Sequence, residues 1–146
     1  MLADILSITA IVVSGASLGW QVLTWRQSGA VVSVTASTAL PTYGDRVGDP
    51  HVQITASNKG RSPVTVQSWG LKLPDDRHLA ILEWAPWSAS CPHRLEPGAA
   101  ASWYVLTKAI TKSSVHNGIR YQDLIAYVGL GDGRTLEAQK PGIGWA

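Results

Sequence analysis

Residues 5–25 form a continuous segment without a Lys, Arg, Asp, Glu or His side chain, and this segment constrains the fold more than any other feature. A helix of this length rises about 31 Å, which matches the hydrocarbon core of a bilayer. Ser, Thr and Gln side chains dilute its hydrophobicity, so the interpretation depends on length and absence of charge more than on Leu content. We therefore predict a transmembrane helix over residues 5–25, preceded by an N-terminal tail at residues 1–4.

Two other interpretations of this segment stay open. A helix of the same length and composition can be buried in the core of a protein. A cleavable signal peptide fits the pattern less well, because Asp4 stands where a basic segment is expected and the apolar segment exceeds the usual 7 to 15 or so residues. No convincing cleavage site with small residues follows it either, so we expect the helix to stay attached.

The C-terminal end of the predicted helix carries residues that suit a membrane surface. Trp20 and Trp25 are followed at once by Arg26, and aromatic rings next to a cation are typical of the head-group region. Arg26 is also the only basic side chain within about 15 residues of either end of the helix. By the positive-inside rule we expect a single-pass protein with a cytoplasmic globular domain and with Trp20, Trp25 and Arg26 at the membrane interface.

Two glycines inside the predicted helix, Gly15 and Gly19, form a GxxxG pattern. Such a pattern lets two helices approach closely in a membrane. The alternative is a pair of glycines that is simply tolerated in lipid. Gly15 and Gly19 are therefore candidate helix-association residues, for example in a homodimer through the transmembrane helix.

Beyond a short linker at residues 26–30, the hydrophobic period changes from helical to alternating, as expected when one face of a strand is buried. Turn-forming residues separate the alternating segments, and a short crossover helix is predicted at residues 107–117. The predicted strands are residues 32–37, 51–57, 64–73, 78–82, 100–106, 123–128 and 134–139.

Seven short strands in about 110 residues predict a mainly β fold, a seven-stranded immunoglobulin-like β-sandwich over residues 31–146 behind the N-terminal transmembrane helix. Trp69 lies in one of the alternating strands and is predicted to be a core residue. Asp75, Asp76 and Asp132 stand in turns, where short carboxylates bond to backbone amides.

Composition and motifs argue against several function classes. Cys91 is the only cysteine, which excludes an intrachain disulfide framework. Cys91-Pro92-His93 brings a thiol near an imidazole in sequence, but the other histidines fall in separate predicted turns or strand ends, and we interpret all four as exposed.

The short signatures of hydrolases, nucleotide-binding proteins and zinc proteases are missing. We expect a protein that is not an enzyme, with no catalytic residue, no metal site and no cofactor.

Charge gives no indication of nucleic-acid binding. The chain has 12 Lys and Arg against 10 Asp and Glu, and the basic residues are interleaved with acidic ones along the sequence. A protein partner is the better expectation. The candidate partner-binding residues are Trp84 and Trp87, two large rings in a predicted loop, because Trp is enriched in binding hot spots. Alternatively, one or both rings cap the open end of the sandwich core.

Several segments carry a resemblance to a known group of proteins. They are residues 58–64 (NKGRSPV), 69–75 (WGLKLPD) and 93–98 (HRLEPG), behind a helix that ends at residues 20–26 (WQVLTWR). The sequence resembles uncharacterised small membrane-anchored proteins of bacteria and their phages. The resemblance implies an N-terminal anchor and an immunoglobulin-like domain, and it brings no assigned activity or functional residue.

These observations together predict a non-enzymatic, membrane-anchored protein-interaction module that contacts membrane lipid and an unidentified protein partner. A role at the host membrane, for example in phage exclusion, is implied by the resemblance only. The alternative is a structural component of a virion or envelope assembly, in which the N-terminal helix packs against protein instead of lipid.

Overall fold

A computed structural model describes residues 1–116, 118–139 and 143–145 of the chain. Its first element is the helix α1, Leu2–Gln27, which extends beyond both ends of the predicted segment. Large apolar side chains are exposed around the whole circumference of α1, and none of its apolar window is buried against the rest of the described chain. The helix is long and apolar enough to span a membrane, although signal sequences and core helices pass the same test.

The hydroxyl groups of α1 are satisfied inside the helix. Each of them donates a hydrogen bond of 2.7 to 2.9 Å to the carbonyl oxygen four residues earlier, and the donors are Ser7, Thr9, Ser14, Ser17 and Thr24. A hydroxyl bonded in this way leaves no unpaired donor for an apolar environment to accommodate. The polar residues that dilute the hydrophobicity of the helix therefore cost less in an apolar environment than their number suggests.

The rest of the described chain is mainly β. One sheet has the order β11-β1-β4-β8, in which β11 is parallel to β1 and the other pairs are antiparallel. These strands are β1 (Val32–Ala39), β4 (His51–Asn58), β8 (Ala100–Leu106) and β11 (Gly144–Trp145). A small hairpin of β2 (Thr42–Tyr43) and β3 (Arg46–Val47) follows β1.

The second sheet has the order β10-β9-β5-β6, and β7 pairs with the N-terminal part of β5. Its strands are β5 (Val64–Lys72), β6 (His78–Leu79), β7 (His93–Leu95), β9 (Ile125–Leu130) and β10 (Thr135–Glu137). The helix α2 (Thr107–His116) follows β8, and a turn of 3-10 helix at Tyr121–Asp123 precedes β9.

Both sheets contribute to one hydrophobic core. Val52, Ile54 and Ala56 of β4 are fully buried, as their alternation predicted. They belong to one cluster with buried side chains of the second sheet and with Ile110 of α2. The alternation arises because every second side chain of a strand faces the same side of the sheet.

Each predicted strand overlaps an observed strand, but several details of the prediction are wrong. The strand at residues 78–82 ends at Leu79, and the strand at residues 123–128 begins only at Ile125 because the 3-10 turn precedes it. The short strands β2, β3, β7 and β11 were not predicted, so the number seven is too low. The predicted crossover helix is α2, and residue 117 at its predicted end lies outside the described residues.

Two tryptophans link the sheets. Trp103 of β8 is fully buried, whereas Trp69 of β5 is only partly buried and packs against the core. Their rings are stacked with centroids 6.0 Å apart. A bulge between Val66 and Ser68 shifts the alternation of β5, so that Trp69 and Leu71 continue the inward face that Val66 occupies before the bulge. Trp69 thus contacts the core as predicted, but Trp103 fills its centre.

We predict that Trp103→Ala lowers the free energy of unfolding by about 3–5 kcal/mol, because it removes a fully buried ring and leaves a cavity. Trp69→Ala should cost clearly less, since part of its ring is already in solvent. Urea unfolding of the full chain in detergent measures both changes. An equal or larger loss for Trp69→Ala would show that the two tryptophans are wrongly placed.

Candidate interaction surface

The loop at residues 80–92 joins β6 to β7 and closes an edge of the first sheet. β8 is the last strand of that sheet, so the backbone groups on its outer edge have no strand partner. The amide of Ala85 donates to the carbonyl of Tyr104 (2.9 Å), and the amide of Ala89 donates to that of Ser102 (3.1 Å). These bonds cover the edge, which removes a site for unwanted strand pairing and fixes the loop on the sheet.

Ser88 adds a side-chain contact to this attachment. Its hydroxyl oxygen accepts a hydrogen bond of 2.9 Å from the amide of Tyr104. Ala85 is buried, while Trp84 on one side of it is 58% exposed and Trp87 on the other side is 48% exposed. The loop therefore holds two large, half-exposed rings beside a fixed anchor point.

Trp84 contacts the second sheet. Its ring centroid lies 6.4 Å from that of Trp69 in an edge-to-face arrangement with an interplanar angle of 83°. Trp69 in turn stacks on Trp103. The three rings form a continuous row from the surface to the core. Edge-to-face contacts of this kind restrict a ring and reduce the conformational entropy that it loses on binding.

Trp87 lies over the outer side of the first sheet. Its ring centroid is 5.4 Å from His51 and 6.3 Å from both Tyr43 and Tyr104. A shallow groove lies next to it, lined by Pro41, Gln53 and these neighbours on the sheet. We call Trp84, Trp87, Tyr43, Trp69 and Tyr104 together the aromatic ridge.

Trp84 and Trp87, the predicted partner-binding candidates, lie along the edge of β8 and not at an open end of the core. Each of them contacts other rings, and partner binding through them stays a prediction. Sequence reasoning missed Tyr43 and Tyr104. The outward position of Tyr104 could have been read from the alternation of β8, but its proximity to Trp87 depends on how the loop crosses the sheet.

Cys91 lies at the end of a groove that Trp69, Trp84 and Ile81 also line. The residue is at the surface, yet partial burial of its thiol raises its pKa, and the indole N–H of Trp103 opposes this rise without forming a hydrogen bond of normal geometry. A nucleophilic cysteine needs the opposite shift, a lowered pKa that supplies thiolate at neutral pH. The thiol is therefore poorly suited to nucleophilic catalysis.

The turn carboxylates bond to their own loops. In the β9–β10 hairpin Asp132 accepts hydrogen bonds from the amide (3.0 Å) and from Nε (2.7 Å) of Arg134, and these bonds lower its pKa. Asp75 makes the equivalent pair with Arg77, at 3.2 and 2.7 Å, and its pKa is lowered mainly by the side-chain bond. Gly133 follows Asp132 with a φ of 88°. These contacts confirm the turn roles predicted for Asp75 and Asp132, whereas Asp76 accepts a bond of 2.8 Å from Nζ of Lys72.

The histidines do not form a site within the described part of the chain. His51 is buried, with Nδ1 2.7 Å from the carbonyl oxygen of Asp49, so the expectation that it is exposed is wrong. His78 contacts the ring of Tyr127 at 4.8 Å. Among residues 1–116, 118–139 and 143–145, no three His, Cys, Asp or Glu side chains come together in a way that could hold a metal ion.

The candidate residues of α1 are all exposed. Trp20 and Trp25 are at the C-terminal end of the helix, next to Arg26 in its last turn. A methyl group added at Gly15 or at Gly19 would meet no other atom within 4 Å. The face that carries both glycines is therefore open in the single chain.

Comparison of the sequence with protein-family models gives no match, and comparison with curated proteins gives none either.

Proposed function

We propose that the protein is a non-enzymatic, single-pass membrane protein whose β-domain is an interaction module. The observation that carries the proposal is the exposure of α1, whose apolar side chains surround the helix while the described part of the domain covers none of its apolar window. A helix that is apolar on all sides needs a cover of lipid or protein. Its length and the internal bonding of its hydroxyls favour lipid.

The proposed domain fold is an immunoglobulin-like β-sandwich. Two predominantly antiparallel sheets that share one core support this proposal. Domains of this kind commonly bind partners through loops or through a free edge strand. Here the loop at residues 80–92 occupies the edge of β8, so at this edge the loop itself is the surface presented to a partner.

The aromatic ridge is the proposed partner-binding surface. Trp and Tyr supply large contact areas at low entropic cost, and the rings of Trp84 and Trp87 are already restricted by their neighbours. A protein partner fits this surface if it offers one apolar side chain to the groove beside Trp87 and another to the groove lined by Trp69 and Trp84. The resemblance to small membrane-anchored proteins of bacteria and phages supports a role at a bacterial membrane, for example in phage exclusion.

A second candidate function is a structural role in a virion or envelope assembly. The open face at Gly15 and Gly19 favours it, because small residues allow a second helix to pack closely against α1. The same face would serve a homodimer in the membrane. In the structural role α1 is covered by protein, and the full chain stays in its assembly when lipid is removed.

We predict that the aromatic ridge crosslinks to one protein partner in the membranes of the native host. A photo-crosslinking side chain placed at Leu82, which is 87% exposed in the same loop, should give one dominant adduct in the full chain. Trp84→Ala or Trp87→Ala should lower the adduct yield roughly 30-fold, since a hot-spot tryptophan contributes about 2 kcal/mol or more to binding.

The control position for this experiment is Thr135, which is exposed on β10 in the second sheet. A crosslinker at Thr135 should give little of the adduct. Equal yields from Leu82 and Thr135, or yields that ignore both tryptophan substitutions, would contradict binding through the ridge.

The proposed orientation places the domain in the cytoplasm, as Arg26 indicates. To test it, Cys91 is replaced by Ser and a single cysteine is introduced at Asp45, an exposed residue between β2 and β3. We predict that a membrane-impermeant maleimide labels Asp45→Cys only after cell lysis, and that the labelled chain sediments with the membranes. Labelling in intact cells would place the domain outside.

A further inference from the structure

The linker between α1 and β1 is bonded to the turn between β4 and β5. The amide of Lys59 donates to the carbonyl of Val31 (2.7 Å), and the amide of Arg61 donates to the carbonyl of Gly29 (3.3 Å). Both bonds use backbone atoms, so the two long basic side chains remain free to extend from the turn. The turn therefore presents Lys59 and Arg61 beside the point where α1 enters the domain.

Further contacts fix this junction. The hydroxyl of Ser62 donates to the carbonyl of Ser28, which continues the chain of bonds to the end of the helix. Gly60 touches the linker so closely that a methyl group in its place would collide with the backbone of Gly29 and Val31. The turn and the linker are thus packed backbone against backbone.

Asn58 holds the turn from inside the domain. Its side chain is buried, and its Nδ2 donates to the carbonyl oxygens of Ser62 (2.8 Å) and Leu95 (3.2 Å). Its Oδ1 accepts a bond of 3.0 Å from the amide of Gly60. A buried and fully bonded amide of this kind fixes one loop conformation.

Three cations at the junction have no carboxylate partner. Arg26, Lys59 and Arg61 are exposed, and none of them belongs to an ion pair within the described part of the chain. The other arginines at this end of the sheets are paired with a neighbouring acid, Arg94 with Glu96 (2.6 Å) and Arg134 with Asp132 (2.7 Å). We call Arg26, Lys59 and Arg61 the basic collar.

The opposite end of the domain carries acids together with basic residues, four of which are paired with them. The strand register places the end of β1 beside the start of β4, and the end of β5 beside the start of β9, at the end of the domain far from α1. The carboxylates in the segments that connect these strand ends are Asp45, Asp49, Asp75, Asp76 and Asp123. Three exposed cations without an ion pair therefore lie next to the helix, while the far end carries acids and bases together, including Arg46 and Lys112.

We infer that the basic collar binds the phosphate groups of anionic lipids in the leaflet from which α1 emerges, an inference that rests on the proposed membrane span. The four residues of the linker reach at most about 14 Å when fully extended. Their bonds to the turn keep Lys59 and Arg61 within that reach, which is comparable with the Debye length of roughly 8–10 Å at physiological salt. A negative membrane surface therefore attracts the collar.

The test uses the full chain in vesicles. Cys91→Ser and Pro97→Cys give a single site for a donor dye in an exposed turn near the collar, and the acceptor is a tail-labelled phosphatidylglycerol or a tail-labelled phosphatidylcholine. At equal acceptor content, energy transfer should be stronger to phosphatidylglycerol. Each cation near an anionic surface contributes about a fivefold preference at low salt.

Two pairs of substitutions remove the same charge at opposite ends. Lys59→Gln with Arg61→Gln should abolish most of the preference for phosphatidylglycerol, because both side chains are exposed and the linker bonds use only the backbone. Arg46→Gln with Lys112→Gln, two exposed cations at the far end, should leave the preference unchanged. Inorganic phosphate should weaken the preference no more than sodium chloride of equal ionic strength, because the collar recognises phosphate at a membrane surface.

The outcomes separate this inference from the proposed function. Flotation of the chain with pure phosphatidylcholine vesicles reports membrane insertion alone, and a chain that does not float contradicts the membrane span. A chain that floats but transfers energy equally to both lipids overturns the basic collar. The collar is also overturned if both pairs of substitutions lower the preference equally, since the effect then follows net charge and not position.

Discussion

The apolar surface of α1 has no cover within the described part of the chain, and the other features of the protein follow from this constraint. A helix of this length with exposed Ile, Leu, Val and Trp on every side is not compatible with a solvated monomer. The five hydroxyls bonded to the helix backbone show how a segment with many polar residues can still suit an apolar environment. The helix therefore needs a cover of lipid or protein, and we propose a bilayer.

The domain is held at the C-terminal end of that helix through the linker. The turn between β4 and β5 is bonded to the linker, so the domain cannot swing freely at the end of a flexible tether. Along one edge of the first sheet, the loop at residues 80–92 covers β8 and carries Trp84 and Trp87. We therefore propose that the basic collar lies at the membrane surface and that the aromatic ridge is available to a partner.

Local sequence patterns predicted where the helices and the longer strands lie better than they predicted the contacts between these elements. The absence of charge located α1, and alternation located the buried face of β4, because both signals depend on neighbouring residues. The bulge in β5 left no comparable signal. Strict alternation from Val66 would turn Trp69 outward, and the register shift keeps it on the inward face. The strands β2, β3, β7 and β11 have two or three residues each, too few for a period to be visible.

The aromatic ridge and the basic collar are formed by residues far apart in the sequence, so they were harder to predict than the helices and strands. Trp84 and Trp87 could be selected by residue type, but their neighbours on the ridge come from β2, β5 and β8. Lys59 and Arg61 lie far from Arg26 in sequence, and only the bonds between the turn and the linker bring the three cations together. Counting basic residues along the chain therefore underestimated the positive charge at the end of the helix.

Alkaline extraction of membranes that contain the full chain tests the central claim, that α1 spans a bilayer, most directly. The account predicts that the wild-type chain and Val13→Leu stay in the membrane, while Val13→Arg is largely released. The reason is that an arginine at the centre of the helix costs about 2.5–3.5 kcal/mol on insertion. Release of the wild-type chain, equal retention of Val13→Arg, or recovery of a shortened chain without α1 would contradict the account.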